Sequence, residues 1–223
     1  MQFLYHEKAG EDGIIIDGES FTHLFKSRRK DAAKPLKVCN LRDNFLYLYE
    51  VVSINRREAK CILSQKTILE HKMRKPLWIA WSVVEPKTIE KTLPFLNEAG
   101  VQKLIFVYTK FSQRSFKIDA ARLKRIAVNS CEQCGRHDMM EFEVINSLEE
   151  FMQKYENFAV LDFSPNRIGD IKNPPHIWLV GCEGGFSEEE RQMFKNRLIV
   201  GLESENILRS ESAVMAIAAK ILL

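Results

Sequence analysis

The stretch Val180 to Glu190, VGCEGGFSEEE, gathers three glycines around an acidic side chain, between an apolar run and a helix start. Glycine lets a ligand approach the backbone and a helix N-terminus attracts anions, so phosphate is the first chemistry to weigh. Glu188, Glu189 and Glu190 oppose it, because they already occupy the positive end of that helix and would repel another anion. Gly181, Gly184 and Gly185 do not form GxGxxG, and no Lys-Ser or Lys-Thr completes a phosphate loop. A ligand that needs glycine-lined backbone without phosphate chemistry is the better fit.

The other reactive side chains are less telling. Cys39, Cys61, Cys131, Cys134 and Cys182 are odd in number and scattered, a poor disulfide framework that predicts reduced thiols. Cys131 and Cys134 make a lone CxxC with His137 nearby, but a structural zinc site needs further ligands at a matching spacing, so no metal is expected. The charge is uneven. Residues 1–75 hold 15 basic and 10 acidic side chains, a formal +5, whereas residues 76–223 hold 18 and 20, or −2. The densest basic run is FTHLFKSRRKDAAKPLK, a composition suited to a phosphate backbone as well as to a solvated face.

These residues need elements to position them, and the chain is long enough for one large or two small domains. Its 45% hydrophobic and 28% charged residues suit a globular protein with a core. No apolar run reaches the ~18 residues that span a bilayer, and MQFLYHEKAGEDG lacks the pattern of a signal peptide, so a cytoplasmic protein is expected. The first third reads as short strands, QFLY, IIID, PLKVCN, NFLYLYEVVSI and AKCILSQ, with a short helix capped by Ser20. After HKMRKP, strands alternate with helices: PLWIAWSVV, EPKTIEKTLPFLNEAG, VQKLIFVYT, a helix from about Asp119 to Gly135, EFEVI, a helix capped by Ser147, FAVLDF, HIWLV, the SEEE helix, LIVGL and SESAVMAIAAKILL. That order implies a mostly parallel α/β sheet, in which ligands bind beyond the carboxyl ends of strands. Three such ends, at FAVLDF, HIWLV and LIVGL, fall in the last third and could line one pocket. An adenosine-type ligand without phosphates, held by backbone amides and carbonyls against an apolar wall, fits them; S-adenosylmethionine is one.

KFSQRSF, NSCEQCGR, LVGCEGGFSEEE and ILRSESAVMAIAA, in this order and spacing, resemble the RsmE family, the ribosomal RNA uridine-N3 methyltransferases of the SPOUT superfamily. The resemblance covers about residues 76–223 well. It implies an S-adenosylmethionine-dependent enzyme acting on small-subunit ribosomal RNA, a homodimer, and two domains: a PUA-like RNA-binding β-barrel over residues 1–71 and a SPOUT α/β domain with a C-terminal trefoil knot over 72–223. By the same resemblance the cofactor loops fall on Leu161 and Asp162, on Val180, Gly181, Cys182, Glu183, Gly184 and Gly185, on Leu202, Ile207 and Leu208, and on Ser210, Ser212 and Ala213. Arg114, Arg136 and Arg209 are the family-matched arginines implied to face RNA or the target base, where each could stabilise a developing uridine anion. A surface salt bridge is the plainer reading of each. His23, Arg28, Arg29 and Lys30 are the expected RNA contacts of the first domain.

Three positions depart from the family pattern: Cys182 stands where proline is usual, Glu203 where glycine is usual, and Ser212 where threonine is typical. Glu203 puts a negative charge near the third loop, either toward a cationic sulfonium or toward water. The N-terminal module matches less well. Two rival readings stay open at this point, a related methyltransferase acting on another base or a ribose hydroxyl, and a non-catalytic RNA-binding protein.

Overall fold

A computed structural model describes residues 1–69 and 75–223. The expected domain boundary between 71 and 72 lies outside the described residues. The chain divides into two compact units, Met1–Lys72 with Val128–Met139, and Met73–Ala127 with Met140–Leu223.

In the first unit, alternating buried and exposed side chains produce a five-stranded sheet. Its strands are β1 (Leu4–Tyr5), β2 (Gly13–Ile16), β3 (Leu36–Cys39), β4 (Phe45–Ile54) and β5 (Ala59–Ile68), in the spatial order β1-β3-β4-β5-β2. β1 pairs parallel with β3 and the other pairs are antiparallel. Tyr49, Val38, Ile16 and Ala59 are almost wholly buried on the inner face. The short helix α1 (Gly18–Phe21) starts earlier than Ser20 predicts, with Asp17 in the capping position and no side-chain capping bond. It continues as a π-helical turn, Thr22–Ser27, which the Arg28 N–H closes on the His23 carbonyl at 3.0 Å. Phe21 and Leu24, both buried, decide this start, because tertiary burial outweighs the local preference of a serine for a cap.

The second unit is an α/β layer. Its strands β6 (Trp78–Ser82), β7 (Lys103–Val107), β8 (Glu141–Ile145), β9 (Ala159–Leu161), β10 (Ile177–Val180) and β11 (Leu198–Val200) form one sheet, ordered β11-β9-β10-β6-β7-β8. Every neighbouring pair is parallel. Helices α2 (Pro86–Ala99), α3 (Ala120–Cys134, of which the residues from Val128 on belong to the first unit), α4 (Leu148–Lys154), α5 (Glu188–Met193) and α6 (Ser210–Leu222) alternate with them. All four residues of β10 are buried, as in a parallel sheet covered on both faces. Pro86 opens α2 and Gly100, at φ 103°, closes it, matching the sequence reading. Only half of the Ser147 box forms: Ser147 accepts from the Glu150 N–H, whereas the Glu150 carboxylate accepts from Asn146. The Ser187 box on α5 is complete in both directions with Glu190.

The strand order places the site. After β8 at one edge, the chain crosses to β9, fills the gap with β10, and later adds β11 outside β9. The last three strands thus lie side by side, and their carboxyl ends open on the same edge of the sheet.

Candidate functional site

The loops leaving β9, β10 and β11 enclose a cavity of about 710 Å³, within the usual range for small-molecule sites. Its walls include Leu161, Asp162, Val180, Gly181, Cys182, Glu183, Gly184, Gly185, Leu202, Ile207, Leu208, Ser210 and Ala213. Ser212, expected there, is half-buried on α6 and is not among the lining residues.

Close backbone approach explains the glycines. The β10 loop folds back so that the Gly185 N–H donates to the Cys182 carbonyl at 2.9 Å, and a Cβ on Gly181 would stand 3.0 Å from the Gly185 Cα. At Gly201, after β11, a Cβ would lie 2.4 Å from the Ser164 carbonyl, so only glycine fits between the two loops. The Gly201 N–H donates to the Asn166 carbonyl at 2.8 Å, and Ser164 Oγ donates to the Ile199 carbonyl at 3.0 Å. Arg167 Nη1 donates to the Leu202 carbonyl at 2.8 Å, fastening the third loop to the first.

Ser210 joins the last helix to the middle loop. It is buried, accepts from the indole N–H of Trp81 at 2.7 Å and donates to the Gly181 carbonyl at 2.5 Å. Glu190 performs a similar task on the other side. Its carboxylate accepts from the Ser187 N–H at 2.9 Å and from the Lys110 N–H at 2.7 Å, binding the loop after β7 to the start of α5.

The electrostatics are mixed. Asp162, 9% exposed in its side chain, accepts from Arg191 Nε at 2.8 Å and from Nη2 at 3.4 Å. That hydrogen bond raises the Arg191 pKa, so the guanidinium stays charged. Burial pushes the Cys182 thiol up and the neighbouring Glu183 charge adds to the rise, which leaves a protonated, poorly nucleophilic sulfur. Glu203 does not line the cavity; it is exposed and pairs with Lys220 at 3.2 Å.

The three expected arginines do not line the cavity. Arg114 is exposed on the loop after β7, donates to the Asn146 carbonyl at 2.7 Å and lies over the Tyr108 ring. Arg209 caps α6 between the lining residues Leu208 and Ser210, with its side chain 84% exposed. Arg136, expected to face RNA or the target base, is instead 3% exposed in the first unit and holds Asp138 at 2.7 Å. A buried guanidinium needs such a partner, and here the pairing makes it a structural anchor. His23, Arg28, Arg29 and Lys30 are all exposed, with Arg29 in the left-handed region at φ 50°. Among the described residues, no group of three or more His, Cys, Asp or Glu side chains could hold a metal ion, and no helix is long and apolar enough to cross a membrane.

Sequence reasoning misses Arg167, Arg191, Phe163 and Phe186, which also line the cavity. The signal was present. Phe163 and Arg167 lie two and six residues past Leu161, the end of the first of these strands, and Arg191 stands four residues after the Ser187 cap, one turn into the helix.

A domain model described as RNA methyltransferase matches residues 71–222, and the chain belongs to that family. Its relatives narrow the class to the one the four motifs resemble. The chain is 43% identical over 222 residues, covering 98% of each protein, to "Ribosomal RNA small subunit methyltransferase E" of Helicobacter pylori strain 26695. It is 26% identical to the protein of the same name from Aquifex aeolicus, over 97% of this chain and 96% of that one. The fold is shared with the solved structure of Ribosomal RNA small subunit methyltransferase E from Neisseria gonorrhoeae bound to S-adenosyl methionine, at a TM-score of 0.81 and 20% identity, over 99% of this chain and 96% of that one.

Proposed function

We propose that this chain methylates N3 of a uridine in small-subunit ribosomal RNA, with S-adenosylmethionine as the methyl donor. The observation that carries the reading is the glycine-lined cavity at three adjacent strand ends, in a chain whose relatives are named for that ribosomal subunit. The cavity fits the donor. Gly185 leaves backbone bare, the Arg191 guanidinium at 3.8 Å being the nearest atom a Cβ there would meet, Ile207, Leu208 and Phe186 supply apolar wall, and the acidic start of α5 disfavours a phosphate.

The donor supplies an activated methyl group, transferred by in-line displacement. The protein's share is to orient the base and stabilise charge as the N3 proton leaves. Alignment of that kind is worth ~7 to 11 kcal/mol at best. Arg209 suits the electrostatic role, because it stands in the chain between the lining residues Leu208 and Ser210 and its side chain is 84% exposed, with Glu211 4.0 Å from Nη1. Arg114 is the second candidate, exposed on the loop that Glu190 holds to α5. His23, Arg28, Arg29 and Lys30 belong to the RNA-binding face of a PUA-like barrel over residues 1–71, and 72–223 make a SPOUT domain. In support of a trefoil knot, residues 164–168 bond directly to Ile199 within β11 and to Gly201 just after it, which the chain reaches only later. In support of a homodimer, Phe163 and Ile207 are 76% and 81% exposed at the cavity.

Reverse transcription across small-subunit ribosomal RNA, with and without the protein, tests the reading. Methylation at N3 blocks Watson-Crick pairing and should stop the transcriptase at one uridine. Identical profiles with a protein that binds the donor would remove uridine N3 as the target.

A further inference from the structure

We propose that Arg191, oriented by Asp162, is the subsite that recognises the carboxylate of the donor's amino-acid end. The inference rests on the S-adenosylmethionine reading above and adds Arg191, which the resemblance does not single out, to the Asp162 that it does.

The donor's parts make different demands. Adenine wants apolar wall and backbone, the ribose wants hydrogen bonds, and only the carboxylate requires a cation. Among the described lining residues the cations are Arg167 and Arg191. Arg167 is exposed and holds the Leu202 carbonyl at 2.8 Å, so its task is to fasten one loop to another. Arg191 is placed differently. In its pair with Asp162 the acid is the buried member, 9% exposed, and the guanidinium is the open one, 38% exposed. Both members line the cavity, and the guanidinium is the more accessible of the two.

The geometry also leaves capacity. A guanidinium carries five N–H donors in a rigid fork, and Asp162 engages Nε and one N–H of Nη2, so three donors remain on the far edge. Locking the fork beforehand reduces the ordering cost that a flexible cation would bring to binding. Glu183 lines the same cavity and offers the amino-acid end an acidic partner for its ammonium.

Calorimetry with two probes tests this. S-adenosylhomocysteine carries the amino-acid end; 5′-methylthioadenosine shares the adenosine and thioether and lacks that end. Arg191→Met should weaken the first by about 10- to 100-fold and shift the second by no more than about twofold. Arg191→Met leaves Asp162 buried and unpaired, so the double variant Asp162→Asn/Arg191→Met, which strands no charge, should show the same selective loss. Arg191→Lys, which keeps charge without the fork, should fall between. Equal losses for both probes in the double variant, or undiminished S-adenosylhomocysteine affinity, would overturn the subsite. Wild-type protein that binds neither probe would overturn the methyl-donor reading, and this inference with it.

Discussion

The indole N–H of Trp81, at the end of β6, donates to the hydroxyl of Ser210, the first residue of α6, across 129 positions of sequence. The same hydroxyl donates onward to the Gly181 carbonyl, so one buried oxygen fixes the last helix to the loop that forms the middle of the cavity. Ser210→Ala should strand a buried indole N–H and a buried carbonyl, with a loss of about 1 to 3 kcal/mol for each. Thermal melting should register the loss, and donor affinity should fall with it, because the Gly181 loop is no longer tied. An unchanged melting temperature would mean that water replaces the hydroxyl.

Crowding at Gly201 sets a second expectation. A methyl group there meets the Ser164 carbonyl at 2.4 Å, tighter than at Gly181, where the nearest atom is at 3.0 Å. Gly201→Ala should therefore be the more damaging, by roughly 1 to 3 kcal/mol or more, since both neighbours are backbone that cannot rotate away. Denaturant midpoints of the two alanine variants, compared side by side, decide the order.

Acid should loosen the second unit through Glu143 on β8. Burial alone would raise its pKa, but hydrogen bonds from Lys103, Lys154 and Tyr155 outweigh it and hold the carboxyl at about 2, against an ordinary value of 4.5. A group with a depressed folded pKa stabilises the fold fully above its unfolded value and loses that contribution as pH falls toward the folded one. Melting temperatures should therefore drop between about pH 4.5 and about pH 2, and Glu143→Gln should flatten that part of the curve.

The exposed cations around the π-helical turn give a salt-dependent prediction. Replacing Arg28 by Gln and Arg29 by Asn removes both charges, and Asn tolerates the left-handed backbone at position 29. If both arginines touch phosphate, the slope of log affinity for ribosomal RNA against log salt should shrink by about 1.4, at ~0.7 per single-strand contact. Filter binding over a sodium chloride series measures it, and an unaltered slope would take these two residues off the RNA face.

Legibility in the sequence follows the range of the interaction. EFEVI reads as a strand and is one, Glu141–Ile145, because period and flanking residues are local. Pro86 and Gly100 bound their helix for the same reason. The three strand ends at the cavity are legible as strand ends, but their adjacency is a property of the sheet order, which places β9 between β10 and β11. Asp162 and Arg191 lie 29 residues apart and no local pattern joins them. Arg136 shows the converse, since a motif arginine looks solvent-facing until its burial against Asp138 is seen. Ser20 lost its capping role to the burial of Phe21 and Leu24, a choice made by the core.

The contact of Gly201 with the Ser164–Asn166 loop also bears on synthesis. β11 and α6 flank the third wall of the cavity, and they follow the other two walls in chain order. A nascent chain stopped before Leu198 would hold two of the three loops and no closed cavity. Ligand capture therefore depends on residues 198–213, so a pull-down on immobilised donor analogue should retain chains that extend through Ala213 and lose those cut before Leu198.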